Sequence, residues 1–329
     1  MPESPEEKIT LVQAVNRAMH RAMAEDLDTI VLGQDVAKSG GVFRATEGLY
    51  ERFGGERVLD TPLAESAIVG CAVGMALYGL KPIAEMQFSG FAYQAFHQIE
   101  EHVARYHNRT RGEYGLPMVI RMPYGGGVRA FEHHSESRES YYVHTPGLKV
   151  VIPSTPRDAM GLLLAAIQDP DPVIFMEPKR LYRSFKEMVA KDEAPIALGK
   201  AHVVQAGEEL TLISYGAMMA VALDAAEAMK AECSIELIDL RTLSPLDTET
   251  LVKSVQKTGR CIVVHEAART LGMGAEISAS LMERAFLSLK APVKRVTGFD
   301  VQMPYYQLEN FYLPNVARVQ QAIRETLAY

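Results

Sequence analysis

A single carboxylate stands where the sequence changes from a turn to a long apolar run. Glu65 follows Asp60 to Ala64 and begins a stretch whose spacing predicts a helix over residues 65–78. A carboxylate in the first helical turn is stabilised by the helix dipole, so Glu65 is either a helix-terminal acid or a group that acts on a ligand. The residue type and position are compatible with both.

Two adjacent histidines form the second candidate. His133 and His134 follow the glycine run Gly125 to Gly127, in a segment predicted to be a loop where side chains could converge on a ligand. Adjacent residues of an extended chain point to opposite sides, so the two imidazoles are not expected to share one metal. The pattern predicts that one histidine faces a cleft and the other faces outward.

An aromatic turn is the third candidate. Phe88 and Phe91 lie at a predicted strand end, and Gln94 enters the next predicted helix. Two aromatic side chains near a turn usually belong to a hydrophobic core, and they can also line a pocket for a flat ring.

Several familiar sites are excluded by their spacing. Gly125 to Gly127 is followed by Val128 and Arg129 and not by Lys and Ser or Thr, so no P-loop is present. No predicted strand leads into a GxGxxG run. His265 and Glu266 begin like a zinc-protease motif, but Arg269 stands where the second histidine ligand belongs. The three cysteines are far apart and form no CxxC pair.

Charge and hydrophobicity limit the class of protein. The chain has 329 residues, 48% of them hydrophobic, and a formal net charge of -7, so no basic surface for nucleic acid or anionic membranes is expected. Residues 1–8 are acidic and lack a signal-peptide pattern. The apolar run of residues 67–80 is too short to cross a bilayer. We therefore expect a soluble cytoplasmic protein.

The elements that must position these side chains alternate between strand and helix. Thr10 is the predicted N-cap of the first helix, and further helices of the first domain are predicted near residues 65–78, 92–109 and 156–167. Strands are predicted at residues 29–32, 82–86, 118–121, 149–152, 173–176, 210–214, 235–240, 261–265 and 293–297. This order predicts an α/β fold with a largely parallel sheet covered on both faces. Residues 182–200 are polar and without periodicity, which predicts a linker between a domain of residues 1–190 and a smaller α/β domain of residues 200–329. Gly70, Gly74 and Gly79 interrupt the helix after Glu65, which predicts close approach of another helix, such as one from a partner subunit.

The motifs, taken together, resemble one family over essentially the whole chain. They are DTPLAESAIVGCAVGMALYGLKPIAEMQF (60–88), YGGGVRAFEHHSES (124–137), HTPGLKVVIPSTPRDA (144–159), DPDPVIFMEPKRLYR (169–183), DLRTLSPLD (239–247), KTGRCIVVHEA (257–267) and VTGFDVQMPYYQLENFYLPN (296–315). They look like the beta chains of the thiamin-diphosphate-dependent pyruvate and branched-chain 2-oxoacid dehydrogenases. The resemblance implies a transketolase-like pyrimidine-binding domain followed by a transketolase C-terminal-like domain.

The resemblance also implies roles for particular residues. Glu65 would contact the aminopyrimidine ring of thiamin diphosphate, Phe91 and Gln94 would line the ring's pocket, and His134 would be the active-site imidazole. A monovalent cation such as potassium would be bound, mostly through backbone carbonyls, by Met118, Ala166, Ile167, Asp169 and Asp171.

The expected assembly follows from a motif that the chain lacks. The family's diphosphate and magnesium motif, Gly-Asp-Gly followed later by Asn, does not occur here. A diphosphate needs a cation and oxygen ligands, so a separate alpha chain is expected to bind magnesium in an assembly of two alpha and two beta chains. A lipoyl-bearing acyltransferase would accept the acyl group from the 2-oxoacid.

The substrate stays open between two classes of 2-oxoacid. The EHHSES, EPKRLYR and VTGFD runs look closer to branched-chain members, which favours 2-oxoisovalerate and its homologues. Pyruvate or acetoin dehydrogenase is the alternative. A non-catalytic scaffold would tolerate loss of Glu65 and His134, and both residues are present.

Overall fold

The computed structural model describes residues 6–329, which fall into two compact units. The first unit runs to Tyr124 and resumes over residues 141–198, and the second comprises residues 125–140 and 199–329. The segment 125–140, which carries both candidate histidines, therefore groups with the C-terminal residues. The beginning of the acidic stretch 1–8 lies outside the described residues. No helix within residues 6–329 is long and apolar enough to cross a bilayer.

The first unit is built on a parallel sheet. Its strands are β1 Glu6–Ile9, β2 Thr29–Gly33, β3 Val58–Asp60, β4 Lys81–Glu85, β5 Val119–Tyr124, β6 Lys149–Val151, β7 Val173–Pro178 and β8 Glu187–Ala190. Six of them lie in the order β6-β7-β5-β4-β2-β3, and every pair among neighbours is parallel. Strands β2, β5 and β7 are buried along their whole length, as expected for a sheet with both faces covered.

The helices of the first unit include two that match the predicted ends within one or two residues. They are α1 Leu11–Glu25, α2 Leu49–Phe53, α3 Glu65–Leu77, α4 Phe96–Gln98, α5 Tyr106–Arg109, α7 Pro156–Gln168 and α6 Glu139–Val143, of which the first two residues belong to the second unit. The N-cap predicted at Thr10 is confirmed, because its side chain accepts from the Gln13 amide and the Gln13 side chain accepts from the Thr10 amide.

Two predictions for the first unit were wrong. The helix expected over residues 92–109 is broken into a 3-10 turn Ala92–Ala95, the short α4, a π-helical turn Ile99–Val103 and α5. Part of the segment expected to be an unstructured linker forms β8, which pairs antiparallel with β1. Pairing between strands so far apart in sequence leaves no local periodic signal.

The second unit is a smaller α/β domain. Its strands are β9 His202–Gln205, β10 Leu210–Ser214, β11 Ile235–Asp239, β12 Thr242–Ser244, β13 Cys261–Val264 and β14 Lys294–Val296, and its helices are α8 Met218–Met229, α9 Thr248–Thr258, α10 Met273–Ala285, α11 Glu309–Tyr312 and α12 Val316–Leu327. Five strands lie in the order β14-β13-β10-β11-β9, with β9 antiparallel and the others parallel. The expected two-domain α/β fold with mostly parallel sheets is confirmed.

Candidate active site

Glu65 is a buried carboxylate at the start of α3. Its side chain is only 5% exposed, and the preceding Ala64 caps the helix with no side-chain hydrogen bond. The Glu65 Oε2 atom has no hydrogen-bond partner within residues 6–329. Buried polar atoms are nearly always hydrogen-bonded, and leaving one without a partner costs about 1 to 3 kcal/mol. The geometry therefore fits a ligand that supplies a hydrogen bond to Glu65 better than a purely helix-terminal acid.

The aromatic turn lies beside this helix start. The hydroxyl of Ser66 donates a hydrogen bond to the backbone carbonyl of Gln94, in the 3-10 turn Ala92–Ala95. Phe91 immediately precedes that turn and is half-buried, whereas the Gln94 side chain is exposed. The structure thus brings Glu65, Phe91 and Gln94 to one region of the first unit.

A row of aromatic rings holds Phe91 in place. The Phe91 and Phe88 ring centroids are 5.4 Å apart in an edge-to-face arrangement, and Phe88 meets Phe43 in the same way at 5.4 Å. Phe43 in turn packs 5.2 Å from Tyr182. Such aromatic pairs stabilise a fold by more than their buried area alone, so these contacts hold the Phe91 ring in position.

The far end of that row is a buried ion cluster that sequence reasoning missed. Tyr182 donates to Glu177 at 2.5 Å, and Glu177 accepts two hydrogen bonds from Arg121, both at 2.7 Å. Arg121 also pairs with Glu85, and burial raises the pKa of Glu85 while Arg121 opposes that shift. Loss of one partner from a buried ion pair is strongly destabilising. The Arg121 cluster therefore holds Tyr182, and with it this end of the aromatic row, in place.

The two histidines lie in the second unit, in a 3-10 turn Glu132–His134. The expectation of an extended segment with opposed side chains was wrong, because the turn places the two ring centroids only 4.3 Å apart. Their exposures nonetheless differ: His133 is exposed and His134 is half-buried.

Carboxylates of the second unit surround this segment, and no local sequence signal predicted them. Glu309 accepts hydrogen bonds from the backbone amides of Gly127 and Arg129, and Glu266 accepts one from the Ser137 hydroxyl. A cavity of about 330 Å³ beside the segment is lined by residues 135–138, Glu266, Tyr312 and residues 300–303, among others. Burial, then the nearby Glu266, raises the pKa of Tyr312 to about 12.

A further buried carboxylate of the same unit, Glu139, is paired with a tyrosine. Glu139 is fully buried and accepts a 2.6 Å hydrogen bond from the Tyr215 hydroxyl. Burial raises the pKa of Glu139, which favours its neutral form. The pair anchors the C-terminal end of the histidine segment.

Some of the residues expected to bind a monovalent cation already form hydrogen bonds or ion pairs within the chain. The Asp169 carboxylate accepts from the Lys149 ammonium at 2.6 and 2.7 Å, and Asp171 lies 2.7 Å from His107 Nδ1. The Met118 carbonyl accepts from the Val173 amide, and the Ala166 carbonyl accepts from the Asp169 amide. A cation here would have to use carbonyl oxygens, of which each retains a second lone pair.

The part of the chain from Glu6 onward contains no group of three or more His, Cys, Asp or Glu side chains arranged for a metal ion. Other carboxylates described above do accept hydrogen bonds from nearby residues, namely Glu139, Asp169, Glu177, Glu266 and Glu309. The candidate residues of the first unit are Glu65, Phe91 and Gln94, and the candidate of the second unit is the His134 segment.

Comparison with known proteins identifies the two units. Residues 7–184 match the pyrimidine-binding domain family of transketolase, and residues 199–319 match the transketolase C-terminal domain family. A solved structure titled as a split-gene transketolase, inactive beta4 tetramer, superposes with a TM-score of 0.81 over 98% of this chain and 99% of that chain, at 24% identity. The fold defines a two-domain transketolase-like subunit.

Curated relatives narrow the family. The pyruvate dehydrogenase E1 component subunit beta of Acholeplasma laidlawii is 49% identical over 96% of this chain and 97% of its own length. The 3-methyl-2-oxobutanoate dehydrogenase subunit beta of Mycobacterium tuberculosis is also 49% identical, over 98% of this chain and 92% of its own length. The chain belongs to the family of E1 beta subunits of 2-oxoacid dehydrogenases.

Proposed function

We propose that this chain is the catalytic beta subunit of a thiamin-diphosphate-dependent 2-oxoacid dehydrogenase. It would act in oxidative decarboxylation, with acyl transfer to a lipoyl group. The observation that carries the proposal is the buried Glu65 carboxylate, whose Oε2 atom has no partner within residues 6–329, at the start of α3 in the pyrimidine-binding domain. This orphaned oxygen fits a pyrimidine ring nitrogen that shares a proton with it.

The residues around Glu65 fit the same cofactor. Thiamin diphosphate supplies the carbon nucleophile and the electron sink of decarboxylation. Glu65 would hold a proton at the pyrimidine ring nitrogen, and Phe91, fixed by its contact with Phe88, would bind the face of that ring. Gln94 would orient the ring edge from the turn that Ser66 ties to α3.

His134 would act on protons near the reacting carbon. An imidazole titrates close to neutral pH, so it can donate or accept a proton during acyl transfer. Its half-buried position in a turn leaves a ring edge accessible to a substrate.

A second chain would complete the site. The absence of the Gly-Asp-Gly motif from the sequence supports an alpha subunit that binds magnesium and the diphosphate, in an assembly of two alpha and two beta chains. The further partner would be a lipoyl-bearing acyltransferase, and the location the cytoplasm. A potassium ion would bind through the carbonyls near Met118 and Ala166.

The substrate is proposed to be a branched-chain 2-oxoacid of the 2-oxoisovalerate type. The segments EHHSES, EPKRLYR and VTGFD support it. Pyruvate, or acetoin, is the alternative, and the relatives named for pyruvate and for 3-methyl-2-oxobutanoate are equally similar at 49% identity.

Reconstitution with the cognate alpha chain tests both the proposed activity and the proposed substrate. Turnover of 2-oxoisovalerate, pyruvate and acetoin would be compared as kcat/KM with the same alpha and beta preparation. We expect the highest value for 2-oxoisovalerate. A higher value for pyruvate would replace the substrate assignment, and no turnover of any of the three would support the non-catalytic scaffold.

A further inference from the structure

The glycine run before the histidines forms a cradle of backbone amides. Gly125, Gly127 and Arg129 have positive φ values of 83°, 87° and 57°. Backbone that enters the left-handed region at alternate residues turns successive N–H groups toward one side, and such concave turns bind anions. The run is not a P-loop, because Val128 and Arg129 follow it in place of Lys and Ser or Thr.

The anion is a side chain of the same unit. Glu309, only 2% exposed, places Oε2 2.9 Å from the Arg129 amide and also accepts from the Gly127 amide through Oε1. Both bonds have a charged acceptor, which makes them stronger than bonds between neutral groups. The Glu309 carboxylate is thus buried from solvent, and backbone amides supply hydrogen bonds to both of its oxygens.

The glycines are explained by the closeness of this contact. A Cβ atom at Gly126 would lie 2.5 Å from the Met303 Cε atom and 3.1 Å from Glu309 Oε1. At Gly125, where φ is positive, a Cβ would lie 2.0 Å from Glu266 Oε1. A Cβ atom at Gly125 would displace the Glu266 carboxylate, whereas one at Gly126 would displace the Met303 methyl group and crowd Glu309 Oε1. The glycines therefore permit the close approach of these side chains.

A second carboxylate holds the other end of the segment. The Ser137 hydroxyl donates to Glu266 Oε1 at 2.8 Å, and the Gly125 amide donates to the Glu136 carbonyl at 3.0 Å. The His134 turn therefore lies between two anchored points, residue 129 and residue 137.

We propose that Glu309 is a positioning residue whose carboxylate is the internal anion of the amide cradle at residues 127 and 129 and thereby fixes the His134 segment. Glu266 has the same role at Ser137. The effect on the segment's geometry is independent of what the protein catalyses, whereas the effect on turnover rests on the proposed function.

Hydrogen exchange of the full chain tests the geometry directly. In Glu309→Ala, the amides of residues 127 and 129 lose their acceptor, and peptides covering residues 125–137 should exchange roughly tenfold faster than in the wild-type chain. Glu283→Ala is the matched control, since Glu283 is an exposed carboxylate of α10 in the same unit. Unchanged exchange in Glu309→Ala would overturn the proposal.

Chemical rescue separates an anion role from simple loss of packing. Acetate, which matches the deleted Cγ and carboxylate, should enter the vacated space and slow exchange of the 125–137 peptides again, whereas acetamide, of nearly the same shape, should not. Equal effects of the two compounds would show that volume and not charge holds the cradle. If Glu309→Ala does not fold, Glu309→Gln gives the test: it keeps the shape but turns an NH₂ group toward an N–H donor, so local exchange should still rise, and wild-type exchange would overturn the proposal.

Turnover with the alpha chain tests the consequence for His134. We expect Glu309→Ala to lower kcat at least tenfold with little change in KM for the 2-oxoacid, and acetate to restore part of the lost kcat. Faster exchange with wild-type kcat would refute the positioning role. If the wild-type pair turns over no 2-oxoacid, the proposed function fails, while the exchange and rescue results still decide the cradle.

Discussion

The hydroxyl of Ser66 donates a hydrogen bond to the backbone carbonyl of Gln94. This bond joins the first turn of α3 to the 3-10 turn Ala92–Ala95, although the two residues are 28 positions apart in sequence. It holds the helix start that carries Glu65 next to the turn that follows Phe91. The pocket side chains proposed for the pyrimidine ring thus share one rigid framework.

Glu65→Gln should keep the fold and remove nearly all decarboxylation by the reconstituted enzyme. The amide preserves the shape of the side chain but does not exchange a proton with the pyrimidine ring. We would measure kcat on 2-oxoisovalerate and, by circular dichroism, the folded content. Loss of soluble protein would favour a structural, helix-terminal role for Glu65, and wild-type turnover in a folded variant would refute the catalytic assignment.

His134→Ala should lower overall flux through the reconstituted complex much more than His133→Ala. The half-buried His134 is the histidine proposed to act at the reacting carbon, whereas His133 is exposed. Because the rings lie 4.3 Å apart, each variant serves as the control for local disturbance caused by the other. A larger loss in His133→Ala would reverse the assignment.

The purified chain without its alpha partner should neither bind thiamin diphosphate tightly nor decarboxylate a 2-oxoacid. It carries the proposed pyrimidine residues, but its sequence has no Gly-Asp-Gly motif for magnesium and diphosphate. Calorimetric titration with the cofactor and magnesium, with and without the alpha chain, measures this. Submicromolar binding by the isolated chain would contradict the half-site assignment.

Gly74→Leu should weaken assembly with the alpha chain more than it destabilises the isolated chain. A Cβ atom at Gly74 would meet no atom within 4 Å in this chain, so the added side chain is tolerated in the monomer. At a packed interface the same side chain should cost about 1 to 3 kcal/mol. Analytical ultracentrifugation of the mixed chains gives the comparison, with Ala220→Leu on the exposed side of α8 as control. Undiminished assembly would place the partner elsewhere.

His265 should make stability of the second unit fall as the pH is lowered. The residue is fully buried, and burial lowers the pKa of His265 to about 4, compared with about 6.5 in an unfolded chain. Between these values the unfolded state binds the proton and the folded state does not. The contribution of His265 is therefore complete above pH 6.5 and is lost toward pH 4, by about 2 kcal/mol between pH 7 and pH 5.

Urea unfolding of His265→Asn at the two pH values checks this. The variant should lose less free energy of unfolding than the wild-type chain between pH 7 and pH 5. His202→Asn, at an exposed position of the same unit, should keep the wild-type difference. An equal pH effect in His265→Asn and wild type would show that other groups are responsible.

Local sequence determined the elements and the residue types of the candidate site. Periodicity and end signals located α1, α3, α7 and most strands to within one or two residues, because amphipathic spacing and capping act over a few positions. Glu65 could be singled out because it stands at a helix start, and the family resemblance named Phe91, Gln94 and His134.

Only the tertiary structure decided how these residues are held. The hydrogen bonds from the Gly127 and Arg129 amides to Glu309 join residues about 180 positions apart in sequence. The Arg121 cluster joins carboxylates from β4 and β7. The pairing of β1 with β8 and the break in the helix after Ala92 are likewise set by distant partners. Whether a carboxylate oxygen is buried without a hydrogen-bond partner depends on the packing of residues that are distant in sequence. No local sequence pattern therefore predicts that Glu65 Oε2 is such an oxygen.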